Sequence, residues 1–233
     1  MARASDYLSS PRSAELRRTM VDRQLRTFDV TNVDVLSAVL ATPREPFADG
    51  YDDSIIYSDA NLEVRGAVVR RALLAPMFVS RALQLAEIKP GDRVLDVAGG
   101  AGYSAAIAAR LAGSVTALEE DEAFVARAAS AFAELELENA SAVRGDLALG
   151  PAGGEAFDVI LINGAVEERP KALLDRLADG GRLLAVEAGP GGSRAGSRFV
   201  LFTRSGDSVG ARALFGASAG TLPAFAKPRE FVF

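Results

Sequence analysis

The first third of the chain carries apolar residues at helical spacing. Three runs repeat with the three- and four-residue intervals that place side chains on one face of a helix. The first run spans residues 16–25, the second begins after Asn32, a residue that suits a helix cap, and the third begins at Pro76, which suits a first helical turn. Residues 12–85 therefore predict helices and loops, with mostly loop from Arg44 to Leu62.

From Arg93 onward, short apolar runs alternate with helical stretches. Six runs predict strands: Arg93–Val97, Ser114–Leu118, Ala140–Arg144, Asp158–Ile162, Gly181–Val186 and Arg198–Phe202. Three intervening stretches predict helices: Ser104–Leu111, Glu122–Leu135 and Pro170–Ala178. This alternation predicts an α/β fold with a mostly parallel sheet and helices on both faces.

The last two predicted strands differ from the others in their connection. A Gly-rich segment, residues 188–197, joins them without a helix, which predicts a hairpin and hence an antiparallel edge strand. The change of pattern divides the chain into an N-terminal helical segment, residues 1–85, and an α/β domain, residues 86–233. We expect the two to form one structural unit.

Composition narrows the chemistry that the chain can perform. The 233 residues include no cysteine and no histidine, which excludes disulfides, zinc–cysteine sites, thiolate nucleophiles and imidazole acid–base catalysis. No metal site is expected. The net charge of −5 argues against a nucleic-acid partner, and no apolar run reaches the roughly 18 residues of a membrane span. Without a signal-peptide pattern or cysteines, we expect a cytoplasmic protein; the oligomeric state is left open.

A glycine-rich turn follows the first strand of the α/β domain. The sequence runs from Asp96 through Gly99, Gly100 and Gly102, and a predicted helix follows it directly. In open parallel sheets, ligands bind at the carboxyl ends of the strands, where glycines let the backbone turn sharply and approach a ligand. This turn is the candidate cofactor site.

Two classes of cofactor compete for this turn. Gly100-x-Gly102-x-x-Ala105 matches the dinucleotide fingerprint, which favours a nicotinamide oxidoreductase. Asp96, however, would repel a pyrophosphate and attract the ammonium and sulfonium of S-adenosylmethionine. Glu119 ends the second strand, where it could accept hydrogen bonds from ribose hydroxyls, and Asp146 follows the third, where it could meet the adenine amino group. Acids at three successive strand ends favour S-adenosylmethionine.

One more polar residue follows a strand of this sheet. Asn163, after the fourth strand, could hydrogen-bond either the cofactor or the substrate, or serve only the turn in which it lies.

Motifs along nearly the whole chain resemble the protein-L-isoaspartate O-methyltransferase family. The N-terminal ones are Met20-Val21-Asp22-Arg23-Gln24-Leu25, Val35-Leu36, Pro43-Arg44-Glu45-Pro46-Phe47 and Tyr57-Ser58-Asp59. The later ones are Lys89-Pro90-Gly91-Asp92-Arg93-Val94-Leu95-Asp96 through Gly102-Tyr103, Gly145-Asp146, Phe157-Asp158-Val159-Ile160 and Gly180-Gly181-Arg182-Leu183. Many methyltransferases share the glycine turn and Gly-Gly-Arg-Leu, whereas Pro-Arg-Glu-x-Phe is far more specific.

The resemblance carries expectations about fold, cofactor and partner. It implies a Rossmann-like seven-strand methyltransferase fold, S-adenosylmethionine as methyl donor, and transfer to a carboxylate of a damaged aspartyl residue in a protein or peptide, a protein-repair activity. It also implies that the cofactor motif, from Asp96 and Ala98 through Gly102 and Tyr103, contributes to the cofactor site.

The chain departs from the family pattern in its acceptor loop. The family carries a Thr-x-Ser pair before the proline that corresponds to Pro76, and here Ala72 and Leu74 stand in those positions. Arg70 and Arg71 lie beside them, where a guanidinium could orient a substrate carboxylate or simply form a solvated basic face.

A second departure lies in the cofactor motif. Ala98 replaces the first glycine of the family's cofactor motif. The backbone tolerates an alanine at this position if its φ is negative.

Two functions remain in view. The first is an S-adenosylmethionine-dependent carboxyl O-methyltransferase of the isoaspartyl type with an altered acceptor site. Methyl transfer to an already ionised carboxylate needs positioning more than a general base, so the absence of histidine is no obstacle. The alternative is a non-catalytic descendant that binds the cofactor or a protein partner and transfers nothing. The role of residues 222–233 is left open.

Overall fold

A computed structural model describes residues 4–228 of the chain. Its α-helices are α1 Ala4–Ser9, α2 Pro11–Met20, α3 Val33–Leu40, α4 Asp53–Ile56, α5 Pro76–Ala86, α6 Tyr103–Ala109, α7 Glu122–Glu134 and α8 Lys171–Asp175. Its strands are β1 Leu62–Arg65, β2 Arg70–Leu73, β3 Arg93–Val97, β4 Ser114–Glu119, β5 Ala140–Arg144, β6 Phe157–Val166, β7 Leu177–Glu187, β8 Arg198–Ser205 and β9 Ser208–Gly216.

The N-terminal helices start where the sequence places capping residues. The Ser10 side chain accepts a hydrogen bond from the Ser13 amide at the start of α2, and the Asn32 side chain accepts from two amides of α3. Pro76 occupies the first turn of α5, as predicted. One π-helical turn, Val21–Leu25, extends α2 and buries both of its terminal apolar side chains.

The predicted absence of strands before residue 85 is wrong. Strands β1 and β2 form an antiparallel hairpin in which Leu62 lies opposite Leu73 and Arg65 opposite Arg70. Buried and exposed residues alternate along β1, because a strand turns successive side chains to opposite faces. The hairpin lies against the carboxyl end of the main sheet, where it bears on the candidate site.

The main sheet has seven strands in the order β5-β4-β3-β6-β7-β8-β9. The pairs from β5 to β7 are parallel, and β8 and β9 are antiparallel to their neighbours. The expected mostly parallel sheet and the β7–β8 hairpin are therefore confirmed. The expected antiparallel edge is also confirmed, but the edge strand is β9, which pairs with the outer side of β8, and not the predicted run Arg198–Phe202. The exposed, glycine-containing sequence of β9 lacks the alternation that marks a strand.

The helix predicted over Pro170–Ala178 is shorter in the structure. Helix α8 ends at Asp175, and Leu177 already belongs to β7, opposite Phe157 of β6. Leu177 is buried in this parallel pair, so tertiary pairing overrides the local helical pattern.

Arg44 ties the N-terminal segment to the α/β domain. Its side chain is fully buried, and its Nε and Nη2 donate to the carbonyls of Ile56 and Leu74 at 2.9 and 2.6 Å. Its guanidinium lies 4.7 Å from the ring centre of Tyr103, the first residue of α6. Burial lowers the pKa of Arg44, although the arginine stays charged at neutral pH.

Two of the family-like motifs meet in the same buried region. The Tyr57 hydroxyl donates to Oε2 of Glu45 at 2.6 Å, and the Ser13 hydroxyl donates to the other oxygen of that carboxylate. Phe47 packs against Tyr103 with ring centres 5.5 Å apart. The apolar core thus runs from the N-terminal helices into α6 and the sheet. None of the helices between residues 4 and 228 has the length and hydrophobicity needed to cross a bilayer.

Candidate active site

The glycine turn sits where the sequence places it, between β3 and α6. Strand β3 lies inside the sheet, paired with β4 and β6, and α6 begins at Tyr103. Gly102, the N-cap residue, has a φ of 91°, and a Cβ there would lie 2.8 Å from the Phe132 ring. Both the conformation and the close approach require glycine at this position. The predicted strand–turn–helix is confirmed, and the N-terminal segment packs beside it.

Asp96 is fully buried and braces the turn from within. Its Oδ2 accepts a hydrogen bond from the Ser104 hydroxyl at 2.9 Å, and its Oδ1 accepts from the Asn163 side-chain amide at 2.8 Å. Burial raises the pKa of Asp96 to about 7, and these two hydrogen bonds limit the rise. The structure therefore brings Asp96 and Asn163 together, and it adds Ser104, which sequence reasoning missed.

Ala98 adopts a conformation that sequence analysis did not anticipate. Its φ is +58°, so the condition of a negative φ is not met. The left-handed region brings Cβ close to the following carbonyl and costs an alanine about 1–2 kcal/mol. The turn keeps the backbone conformation of a glycine although the residue is alanine.

Substituting glycine for Ala98 should stabilise the protein. The gain from relieving the positive φ exceeds the loss of one buried methyl group, and we expect a net gain of about 1 kcal/mol and a rise in Tm of roughly 2–4 °C. Ala101 in the same turn is also buried but has no positive φ, so Ala101→Gly should destabilise. Thermal unfolding followed by circular dichroism measures both, and a lower Tm for Ala98→Gly would contradict the expectation.

Glu119 lies across the turn from Asp96, at the end of β4. It is 3% exposed, and its Oε1 accepts the Gly100 amide at 2.8 Å. The side chain of Arg71, from the β1–β2 hairpin, meets the same carboxylate: Nε lies 3.0 Å from Oε1 and Nη2 lies 3.0 Å from Oε2. This two-pronged pair is buried on both sides.

Arg71 has a second acidic partner. Its Nη2 lies 2.6 Å from Oε1 of Glu120, a side chain that is 41% exposed. Burial alone would lower the pKa of Arg71, but its hydrogen bonds and attraction to Glu119 and Glu120 raise it. Arg71 therefore pairs with two acids at the carboxyl end of β4, beside the candidate cofactor site. The sequence had suggested instead that it orients the carboxylate of a substrate.

Asp121 fixes the tip of the hairpin. Its Oδ2 accepts from the amides of Val68 and Val69 at 2.8 and 3.1 Å, while its Oδ1 accepts from the Ala123 amide and caps α7. Burial opposes ionisation, yet these backbone amides lower the pKa of Asp121 to about 2. The acid directly after Glu119 and Glu120 therefore serves the hairpin, a role that sequence reasoning did not assign.

The acceptor loop lies beside the glycine turn. Leu74 is 4% exposed and shares a small apolar cavity with Ser104 and Asn163, the two partners of Asp96. Ala72 is half-buried in β2. Arg70 is exposed, and its Nη1 lies 2.9 Å from Oε1 of Glu63 on the paired strand. Of the two arginines, Arg70 fits the solvated basic face.

Two predicted cofactor residues have other surroundings. Asp146 is exposed, and its Oδ1 accepts the amides of Ala148 and Leu149 in the turn after β5. Tyr103 is 1% exposed and packs between Phe47 and Arg44, away from solvent. The side chains of Asp146 and Tyr103 therefore do not join Asp96 and Glu119 at the glycine turn.

A known protein family matches most of this chain. The sequence profile described as "Protein-L-isoaspartate(D-aspartate) O-methyltransferase" matches residues 16–208, most of the chain. The chain belongs to this family. Relatives named protein-L-isoaspartate O-methyltransferase include one from Methanoregula boonei, 35% identical over 84% of this chain and 87% of its own. Another, from Koribacter versatilis, is 35% identical over 75% of this chain and 77% of its own.

Solved structures agree on the fold. A protein-L-isoaspartate O-methyltransferase superimposes with a TM-score of 0.78 at 24% identity, over 88% of this chain and 65% of that one. A Plasmodium falciparum protein described as a protein-L-isoaspartate O-methyltransferase, in complex with S-adenosyl-L-homocysteine, gives a TM-score of 0.70 at 20% identity over 91% of this chain and 98% of that one. The expected Rossmann-like methyltransferase fold is confirmed.

The residues of this chain suit the family's cofactor chemically. Two buried carboxylates, Asp96 and Glu119, flank the glycine turn, which favours a ligand with cationic and hydroxyl groups over one with a pyrophosphate. The fit has one condition. Because Arg71 already pairs with Glu119, the carboxylate becomes available to a ribose only when the guanidinium moves aside.

Proposed function

We propose that this chain is an S-adenosylmethionine-dependent carboxyl O-methyltransferase that acts on a protein or peptide carboxylate. The observation that carries the proposal is the pair of buried carboxylates around the glycine turn, with Glu119 Oε1 on the Gly100 amide. Membership of the family supports the same cofactor and reaction. Cytoplasmic location and a role in protein repair stay predictions from the sequence and its resemblance.

The chain's own residues would divide the work between donor and acceptor. S-adenosylmethionine, when bound, supplies an electrophilic methyl group on its sulfonium. Asp96, which is partly ionised at neutral pH, would offer a carboxylate that a bound cation keeps ionised beneath the turn. Glu119 offers hydroxyl-accepting oxygens, and Leu74 excludes water on the acceptor side. The acceptor carboxylate is ionised at neutral pH, so orientation and desolvation account for most of what the protein must provide.

A second function has two specific observations in its favour. Arg71 occupies Glu119, and Leu74 presents no hydroxyl to an acceptor carboxylate. Both features would suit a non-catalytic member of the family that binds a partner and transfers no methyl group. Cofactor binding without methyl transfer to any carboxylate would favour this alternative over the methyltransferase.

Titration and a transfer assay test the proposal together. We expect calorimetry to detect S-adenosylhomocysteine binding in the micromolar range and no binding of NADH. With methyl-labelled S-adenosylmethionine and a cell extract, we expect labelled protein whose methyl group is released at alkaline pH, because carboxyl methyl esters hydrolyse there and N-methyl groups do not. Binding of NADH in place of the adenosyl compounds would refute the proposal, as would label that alkali does not release.

A further inference from the structure

The carboxylate of Glu119 has no hydrogen-bonding capacity left. Its Oε1 accepts from Arg71 Nε and the Gly100 amide, and its Oε2 accepts from Arg71 Nη2 and the Glu120 amide. A carboxylate offers about four acceptor positions. A ribose hydroxyl can therefore donate to Glu119 only if one of the present donors leaves. Gly100 belongs to the glycine turn and Glu120 directly follows Glu119, whereas Arg71 donates from the β1–β2 hairpin through a side chain that can move.

The β1–β2 hairpin, residues 62–73, also covers the turn itself. A Cβ built on Gly100 would lie 3.4 Å from Val64 and 3.5 Å from the Cβ of Arg71, so both strands of the hairpin stand directly over this glycine. Backbone amides at the hairpin tip bind Asp121, which follows Glu119 by two residues. Arg71 and the tip thus fasten the hairpin to the carboxyl end of β4 at two points.

We propose that the β1–β2 hairpin is an autoinhibitory latch, in which Arg71 competes with the ribose of the cofactor for Glu119. This inference rests on the proposed function and adds a regulation to it. In the latched state the guanidinium neutralises the buried carboxylate, so Glu119 is satisfied without ligand. Binding of the adenosyl compound then requires the hairpin to lift, and the apparent affinity falls in proportion to the fraction of molecules that are open.

Glu120 gives the displaced guanidinium a place to go. Its carboxylate already lies 2.6 Å from Arg71 Nη2 and is 41% exposed, whereas Glu119 is buried. Arg71 can therefore leave Glu119 and keep a charged partner nearer to solvent, which avoids leaving a buried arginine without an anion. In the latched state Arg71 contacts both acids, and once the hairpin lifts it would keep only Glu120.

Removing the guanidinium tests the competition directly. We expect Arg71→Ala to bind S-adenosylhomocysteine at least tenfold more tightly than the wild type in calorimetric titration. Arg65→Ala is the matched control, because Arg65 is on the same hairpin, is exposed and pairs through its guanidinium with Glu63, 3.6 Å away. The control should bind as the wild type does. Adding Glu119→Ala to Arg71→Ala should then weaken binding at least tenfold, because the ribose acceptor is gone.

The outcomes separate the latch from the proposed function. Equal or weaker binding by Arg71→Ala overturns the latch while leaving the methyltransferase proposal intact. Binding by neither the wild type nor folded Arg71→Ala overturns both, because the turn would then hold no adenosyl compound. If Arg71→Ala binds the adenosyl compound and the wild type does not, the latch is supported, and the hairpin then prevents binding completely.

Hydrogen exchange of the wild type gives a second measurement that needs no variant. We expect saturating S-adenosylhomocysteine to speed exchange at the amides of Val68 and Val69, which lose Asp121 as the hairpin lifts, while exchange at Gly100 slows. Slower exchange at both places would mean that the hairpin closes over the ligand, which overturns the latch.

Discussion

Restoring the two hydroxyls of the acceptor loop, by Ala72→Thr with Leu74→Ser, is expected to raise methyl transfer to an isoaspartyl peptide about a hundredfold above a very slow wild type. Leu74 is buried beside Ser104 and Asn163, so it removes water from the acceptor side but donates no hydrogen bond. A buried charge left unpaired costs several kcal/mol, and one missing donor to developing charge costs roughly a hundredfold in rate.

The matched control replaces the neighbouring leucine, Leu73, in place of Leu74. It loses the same apolar volume, but its serine hydroxyl lies at a different position. Leu73 is also 4% exposed, so Ala72→Thr with Leu73→Ser should destabilise to a similar degree, by about 2–5 kcal/mol, and should gain less in rate because it restores only one of the two hydroxyls. Steady-state transfer to a synthetic isoaspartyl peptide, read beside thermal unfolding, measures both variants. Fast turnover by the wild type would contradict the expectation, since the hydroxyls would then be dispensable.

Asp96→Asn should reduce the loss of stability that accompanies a rise in pH from 4 to 7. Burial raises the pKa of Asp96 from 3.8 to about 7 in the folded protein. Between these values the folded chain holds one proton more than the unfolded chain, so the free energy of unfolding decreases as pH rises through this window. At about 1.4 kcal/mol per pKa unit, the full effect is about 4 kcal/mol, lost by pH 7 to 8.

The asparagine side chain keeps the hydrogen bonds of a neutral acid. Its oxygen can accept from Asn163 and its amide can donate to Ser104, the two groups that now bind Asp96. We therefore expect Asp96→Asn to exceed the wild type in stability at pH 8 by about 2–4 kcal/mol, and to match it more closely at pH 4. Urea unfolding at both pH values measures this, with exposed Glu122→Gln as control. An unchanged pH profile in Asp96→Asn would show that another group titrates.

The sheet could be predicted from sequence because its signals are local. Strands β3 and β5 begin and end at the predicted residues, and α5 begins at Pro76, since apolar runs and helix-start residues act within a few positions. The β1–β2 hairpin escaped prediction, although Leu62-Glu63-Val64-Arg65 alternates apolar and polar residues as a strand does. A four-residue run without a recognised partner is too short to distinguish from loop.

The sequence predicts where the residues of the site lie, but not how their side chains pair. Asp96 and Glu119 lie at the carboxyl ends of β3 and β4, so the topology alone brings them to one edge of the sheet. Asn163, predicted to follow the fourth strand, lies instead within β6, which continues to Val166 and still places it beside Asp96. The pairing of Arg71 with Glu119 joins residues 48 positions apart, and no spacing rule reaches that far. The positive φ of Ala98 was hidden for a different reason, because alanine gives no sign of a left-handed backbone.

The burial of Arg44 constrains the order in which a growing chain can fold. The groups that pair with its guanidinium, among them the carbonyls of Ile56 and Leu74 and the Tyr103 ring, follow it in sequence. Until the ribosome has released Tyr103, the guanidinium lacks part of its final surroundings and keeps its water, because dehydrating an incompletely paired charge is costly. The N-terminal helices, although made first, therefore reach their native packing only after the first strand and turn of the sheet have emerged.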